Sequence, residues 1–221
     1  MNIAIIIQAR MESSRLPNKV LKKINDKPLL EYLIEQIRIK NDGLPIIIAT
    51  SRSITDEKII DYCTNNDIEF YQGSFHNVAS RFFNIIKINN LDYFIRICAD
   101  SPLFDGDLIR KSVDLIDNEL DLITNIYPRT FPKGQSVEII KSKTFKNIFR
   151  NFFKKSHFEH VTNYFYENID NFKIKSLINN TNMEHVNLAV DTKADFKNVK
   201  NIIYKMKKPH YKYSFEDLLK L

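Results

Sequence analysis

An α/β fold, with a mainly parallel sheet between two layers of helices, is predicted by three observations. Short Ile-rich runs alternate with segments of helical period up to about residue 127. The runs are almost continuously apolar, as strands covered on both faces are. Past residue 128 the apolar residues alternate with polar ones, which marks an antiparallel excursion within the parallel pattern.

The elements follow in order. Residues 2–8, with the run Ile3 to Ile7, read as a buried strand. Residues 28–40 put Leu29, Leu30, Leu33, Ile34 and Ile37 on one helical face, with Pro28 at the start. Residues 44–51 are a second strand. Ser53 and Asp56, three apart, predict a capping box for a helix burying Ile59, Ile60 and Cys63. Residues 68–73 are a short strand, and Asn77 is placed to cap a helix through Val78, Phe82, Ile85 and Ile86. A strand over 92–100, a helix over 105–118 and a strand over 120–127 complete the first half. Residues 136–140 and 172–178 suit antiparallel or edge strands, with helices over 142–153 and 157–168 between them. Residues 185–191 return to a buried strand, and a helix runs from Thr192 to about Met206. No repeat or linker interrupts the pattern, so one domain over residues 1–221 is expected, with its excursion near 128–180.

With 221 residues, 43% of them hydrophobic, and 16 Phe, the chain can fill a sizeable core. Cys63 and Cys98 lie far apart without metal-ligand spacing and read as reduced thiols. No apolar run approaches the ~20 residues of a membrane span, and no basic lead-in with a cleavage site is visible. A cytoplasmic protein without a membrane partner is expected. The net charge of +6 sits largely in Lys-rich stretches of helical period at 141–155 and 197–208. No nucleic-acid motif accompanies them and aromatics are not interleaved with them, so nucleic acid is not an expected partner.

Ligands of open α/β sheets gather at the carboxyl ends of the strands. After the first strand stands QARMESSRLPNK (8–19), a loop with Arg10, Arg15 and Lys19 and the single acid Glu12. Ser51-Arg52 and Gly73-Ser74 end the next two strands, and Asp100 and Asp191 end two later ones. Cations at one strand end and carboxylates at two others form a metal–polyphosphate pattern, because Mg²⁺ takes one or two carboxylates and completes its shell with phosphate oxygens. The four glycines, at 43, 73, 106 and 134, fit neither G-x-x-x-x-G-K-[ST] nor G-x-G-x-x-G. P-loop NTPases and NAD-type Rossmann enzymes are thereby excluded, and Arg and Lys must hold any phosphate.

Other readings of the same residues stay open. Asp100 before Pro102 and Asp191 before a helix both suit local caps. Ser156 and Glu159 match a capping box. Glu138, on an alternating strand, suits an exposed partner of nearby lysines as well as a site. His157 and His160 lack a third ligand for a metal. Asp105-Gly106-Asp107 has the form of a D-x-D motif, which would suit a nucleotide-sugar glycosyltransferase of GT-A type, although Asp105 stands where a helix cap is expected.

The segment IIIQARMESSRLPNKVLKKINDKPLLEYLIEQI (5–37) resembles the opening of the sugar-acid cytidylyltransferases. It is most similar to the spore-coat-polysaccharide type, a relative of the acylneuraminate and 3-deoxy-manno-octulosonate enzymes. Residues 73–82, 96–103, 132–139, 159–168 and 188–196 continue the resemblance in order, so it spans nearly the whole chain. It implies a three-layer α/β/α fold like that of the nucleotide-diphosphosugar transferases. It also implies CMP transfer from CTP, in-line at the α-phosphorus, to a sugar acid or a phosphorylated small molecule, with pyrophosphate released, in surface polysaccharide biosynthesis. By the same resemblance Arg10, Arg15 and Lys19 would bind the triphosphate, and the backbone near Gln8 and Ala9 the cytosine. Ser74 and Arg81 would close the nucleotide pocket. Asp100 and Asp191 would hold Mg²⁺, acting with Arg15 and Lys19 as the catalytic set. Glu138, Glu159 and His160 would face the acceptor, and a homodimer is implied. The chain departs from the family at Asn18 and Ala99, where glycine is usual, at Asn77 and Ser136, where aspartate is, and at Asn163, where proline is. Ser136 and Asn163 fall in the acceptor half; with Asn77, Ser136 keeps a non-catalytic nucleotide-binding relative in view.

Overall fold

The computed structural model describes residues 1–221. Its elements in chain order begin with β1 (Ile3–Gln8), β2 (Lys23–Ile24), β3 (Lys27–Pro28), α1 (Leu29–Lys40), β4 (Ile46–Ser51), α2 (Glu57–Asn65), β5 (Glu69–Gly73), α3 (Val78–Ile88), β6 (Tyr93–Cys98) and α4 (Asp107–Val113). They continue with β7 (Leu122–Thr124), β8 (Glu138–Lys141), α5 (Ser142–Phe149), α6 (Lys155–Glu159), α7 (Asn163–Glu167), β9 (Ile174–Ser176), α8 (Lys193–Lys205) and α9 (Phe215–Leu218). Seven strands form one sheet in the order β5-β4-β1-β6-β8-β7-β9. Only β8 runs against the rest, since it is antiparallel to both β6 and β7 while β7 and β9 are parallel. β2 and β3 make a separate two-stranded ribbon.

Both faces of the sheet are covered, which is why its central strands are apolar over most of their length. Ile5, Ile7, Ile48, Ile95 and Ile97 pack beneath α1, α2, α4, α8 and α9. Ala4, Ile6, Phe94, Leu122 and Ile140 pack beneath α3, α5 and α7, where Phe82, Phe145 and Phe165 fill the space. Each such isoleucine, fully buried, contributes roughly 1.5–3 kcal/mol. Asn77 caps α3 by accepting from the Ser80 amide at 2.8 Å, as its position predicts.

Several elements differ from the sequence reading. Ser53 and Asp56 form no capping box; Asp56 points inward and is fully buried. The helix over 105–118 is confined to α4. The helix over 157–168 is two short ones, α6 and α7, broken where His160 adopts an extended backbone. Ser156 lies inside α6 and caps nothing. Residues 185–191 are not a strand of the sheet. Their backbone bonds to loops instead, with Leu188 donating to the Lys133 carbonyl and Val190 to that of Asp100, both at 2.8 Å. Thr192 and Asp195 form the capping box of α8, so Asp191 is not the cap.

Gly134 decides how closely that segment approaches. Its φ is +90°, and a Cβ there would lie 2.6 Å from the Ala189 nitrogen and 2.8 Å from the Leu188 carbonyl carbon. Gly134→Ala should therefore destabilise the protein by about 1–3 kcal/mol, read as a fall in Tm of roughly 2–10 °C. An unchanged Tm would mean that residues 186–189 do not pack on the 133–135 turn as described.

Candidate active site

The loop after β1 is rigid without glycine because it is fastened at four points. Met11 and Leu16 are buried in the core. The Ala9 amide donates to the Ala49 carbonyl at 3.2 Å, and the Asn18 amide to the Met11 carbonyl at 2.9 Å. Asn18 sits at φ 59°, a conformation Asn tolerates. Buried Asp56 accepts from the Met11 amide at 2.7 Å and from the Ser51 amide and hydroxyl at 3.2 and 2.5 Å. One carboxylate thus ties the loop to the end of β4.

This fastening turns the cations toward the carboxyl ends of the strands, around a cavity of about 270 Å³. Gln8, Arg10, Arg15, Lys19, Asp100, His160 and Asp191 all line it. The Lys19 ammonium lies 2.9 Å from Asp100 and 2.8 Å from Asp191. Burial works against its charge, but the two carboxylates outweigh burial and hold its pKa above the ordinary lysine value. Arg15 reaches Asp191 at 3.3 Å, and Arg10 reaches Glu159 at 3.6 Å. Glu159 is therefore an ion-pair partner across the cleft rather than a helix cap. The Ala9 amide is already used by Ala49, which leaves only its carbonyl free for a ligand.

Ala9, Ser74, Arg81, Glu138 and Glu159, all expected at the site, are not among the residues lining this cavity. Arg81 is wholly enclosed, and its guanidinium donates to the carbonyls of Ser74 and Phe75 at 2.7 and 3.0 Å. Burial pulls its pKa down to about 10. It cannot touch a ligand, and instead braces the turn that carries Ser74, whose hydroxyl accepts from the Asn77 amide at 3.1 Å. Glu138 is buried and is no surface partner of lysines: it is paired with Arg96 and accepts from the Tyr166 hydroxyl at 2.6 Å. Asp105 accepts from the Asp107 and Phe215 amides at 3.0 and 3.2 Å, and Asp107 pairs with Lys40. The D-x-D residues therefore serve the packing of α4 against α1 and α9, away from the cavity. His157 is likewise occupied, bonded to Glu167 at 3.0 Å.

Arg96 and Tyr166 are missing from the sequence reading, which takes Asp56 only as a cap partner and Cys98 only as a reduced thiol. The available signal for Arg96 was a charged residue inside an otherwise apolar strand. For Asp56 no signal existed, since its spacing from Ser53 looks like a cap. Arg96 bridges Glu138 to Gln8 and Cys98, at 3.4 Å from each of the latter two. Burial pushes the Cys98 thiol up to about 11, so it lines the cavity as a neutral group.

A cationic loop facing two convergent carboxylates, at the carboxyl edge of a largely parallel sheet, is the arrangement of a nucleotidyltransferase. Comparison with known proteins agrees: the profile of the family Cytidylyltransferase matches residues 4–219, and the chain belongs to that family. It is 35% identical over 200 residues to uncharacterized protein MJ1063 of Methanocaldococcus jannaschii, covering 89% of this chain and 81% of that one. It is 28% identical over 211 residues to the spore coat polysaccharide biosynthesis protein SpsF of Bacillus subtilis, covering 92% and 87%. Among solved structures, a cytidylyltransferase from Leptospira borgpetersenii superposes with a TM-score of 0.94 at 26% identity, over 100% of this chain and 93% of that one. No helix is long and apolar enough to cross a membrane.

The loop fastening is open to test. Asp56→Ala orphans the buried amides of Met11 and Ser51, at about 1–3 kcal/mol each. It should lower Tm and also weaken nucleotide binding, although Asp56 does not line the cavity. A melt and a CTP titration check both effects; a variant with unchanged nucleotide affinity would separate Asp56 from the loop's shape.

Proposed function

We propose that this cytidylyltransferase transfers CMP from CTP to a small acceptor, a sugar acid or a phosphorylated molecule, and releases pyrophosphate, for a surface polysaccharide. The observation that carries the reading is the Lys19 ammonium held between Asp100 and Asp191, with Arg15 beside it. Two carboxylates converging within 3 Å of one cationic centre fit a hard divalent ion such as Mg²⁺, whose remaining positions phosphate oxygens would take. Asp100 and Asp191 would hold that ion, which supplies charge neutralisation at the phosphates.

The chain's own groups account for the rest. Arg10 and Arg15 offer planar forks for bidentate phosphate contacts, and Lys19 a movable point charge. Gln8 and the Ala9 carbonyl would meet the base. The Ser74 turn, braced by Arg81, would close over the nucleotide from outside the cavity lining. Glu159 pairs with Arg10, and His160, which lines the cavity, would face the acceptor. Attack by an acceptor oxygen in line with the departing pyrophosphate then needs positioning and charge neutralisation, and little covalent help from the protein.

Saturating CTP with Mg²⁺, at about 100 times Kd, should stabilise the protein by ~2.7 kcal/mol. UTP, ATP, GTP and dTTP should do less. Asp100→Ala should weaken the CTP shift and abolish pyrophosphate release while leaving the fold intact by circular dichroism; undiminished turnover would refute the metal-holding role. Arg15→Ala removes charge-assisted contacts of about 1.5–3 kcal/mol, so KM for CTP should rise roughly 10- to 100-fold with far less change for the acceptor. Equal effects on the two substrates would argue against a triphosphate contact.

A further inference from the structure

A polar strip leaves the nucleotide cavity and crosses the sheet on the face that otherwise buries Ala4, Ile6, Phe94 and Ile140. It starts at Gln8 of β1, which pairs in register with Cys98 of β6. Two residues back on the same face of β6 stands Arg96, in register with Glu138 of β8. Ser136 and then Arg129 continue it beyond β8. Gln8 and Cys98 line the cavity, so the strip is continuous with it.

The charges along this strip do not cancel. The Arg96 charge is matched by Glu138, whose other oxygen takes the Tyr166 hydroxyl. Arg129 has no such match. Its Nη1 and Nη2 both donate to one neutral group, the Ser136 hydroxyl, at 3.2 Å each. Burial pulls its pKa below the ordinary arginine value, and Glu138, Tyr166, Glu184 and Cys98 offset this only from a distance. A half-buried guanidinium whose only partner is a hydroxyl retains donors for a planar anion. Beside it Tyr127 stacks on Tyr166, with centroids 5.8 Å apart and planes 29° from parallel, and remains 46% exposed. That leaves an aromatic surface with a polar tip next to the cation.

We propose that Arg129 and Tyr127 form the acceptor subsite, which selects a polyhydroxylated small molecule by its carboxylate or phosphate group. This rests on the cytidylyl-transfer reading. Two strand spacings separate β1 from β8, roughly 10 Å, and the Arg129 guanidinium stands beyond β8 at 3.2 Å from the Ser136 hydroxyl, a span on the scale of a sugar acid. An acceptor anchored at Arg129 thus directs its far end to the cavity wall at Gln8 and Cys98. Ser136 is part of the device: a carboxylate there would neutralise Arg129, whereas a hydroxyl orients it and leaves its charge available.

The test is a titration of the whole chain, preloaded with CMP and Mg²⁺, by calorimetry. One arm uses 3-deoxy-manno-octulosonate, the other glucose 1-phosphate and glycerol 3-phosphate, each against its neutral counterpart. At least one anionic arm should bind, with its neutral counterpart 10-fold weaker or worse, and the arm that responds identifies the anion. Arg129→Gln should weaken that binding at least 10-fold, Arg129→Lys should restore part of it, and Tyr127→Leu should weaken it several-fold. In all three variants the thermal shift from CTP should match that of the unaltered chain, which also reports intact folding. Equal binding by Arg129→Gln, equal binding of neutral counterparts, or no binding in either arm while CTP binds would each overturn the proposal. Failure of CTP itself to bind the unaltered chain would overturn the cytidylyl-transfer reading instead.

Discussion

The contact on which the site depends is the Lys19 ammonium between Asp100 and Asp191. It joins residues 81 and 172 positions apart along the chain, from the β1 loop, the end of β6 and the segment before α8. Lys19 is only 12% exposed, and a cation so far withdrawn from water requires both acids. The acids in turn are held near one another by the Val190 amide on the Asp100 carbonyl. One cationic position, two carboxylates and a backbone bond therefore fix how three distant parts of the chain meet. The same geometry that satisfies the lysine offers two oxygens to a divalent ion, so the structural and chemical demands on these residues coincide.

The loop opposite these acids shows how a cationic segment is made rigid without glycine. A glycine-rich loop presents backbone amides at close range and relies on permissive φ angles. Here two amides of the loop are spent internally, on Ala49 and Asp56, and Met11 and Leu16 sink into the core. What remains outside is a row of long cationic side chains on a fixed backbone. The buried Asp56 is then a condition of the site although it lies behind it.

On the other side of the cavity, the Arg96–Glu138 pair lies under the sheet's helical cover. Breaking such a buried pair by removing one partner costs about 3–5 kcal/mol. Tyr166 uses the remaining Glu138 oxygen and stacks with Tyr127, so Glu138 is held on both of its oxygens. β8, the one reversed strand, brings Glu138 and Ser136 beside the parallel half.

Much of this was legible in the residues themselves. Hydrophobic period reports which face of a segment is apolar, so strands such as 2–8 and 92–100 and helices such as 28–40 and 78–88 are readable locally, as is the Asn77 cap. The strand ends, and with them Arg10, Arg15, Lys19 and Asp100, follow from the same pattern because ligands gather where parallel strands stop, whereas Asp191 reaches the site from a segment that is no strand. Period does not say which distant polar group a residue will meet. Asp56 looks like a helix cap from its spacing with Ser53, and only the packed loop turns it inward. Residues 185–191 are apolar enough for a strand, yet the 133–135 turn takes their backbone bonds before the sheet can. Glu138 alternates like a surface residue, but its register opposite Arg96 buries it, and Arg81 becomes a brace for the same kind of reason. The sequence by itself determined the elements and the chemistry at their ends. The tertiary structure decided the pairings among charged groups, because a buried charge takes whichever partner the order of the strands brings within reach.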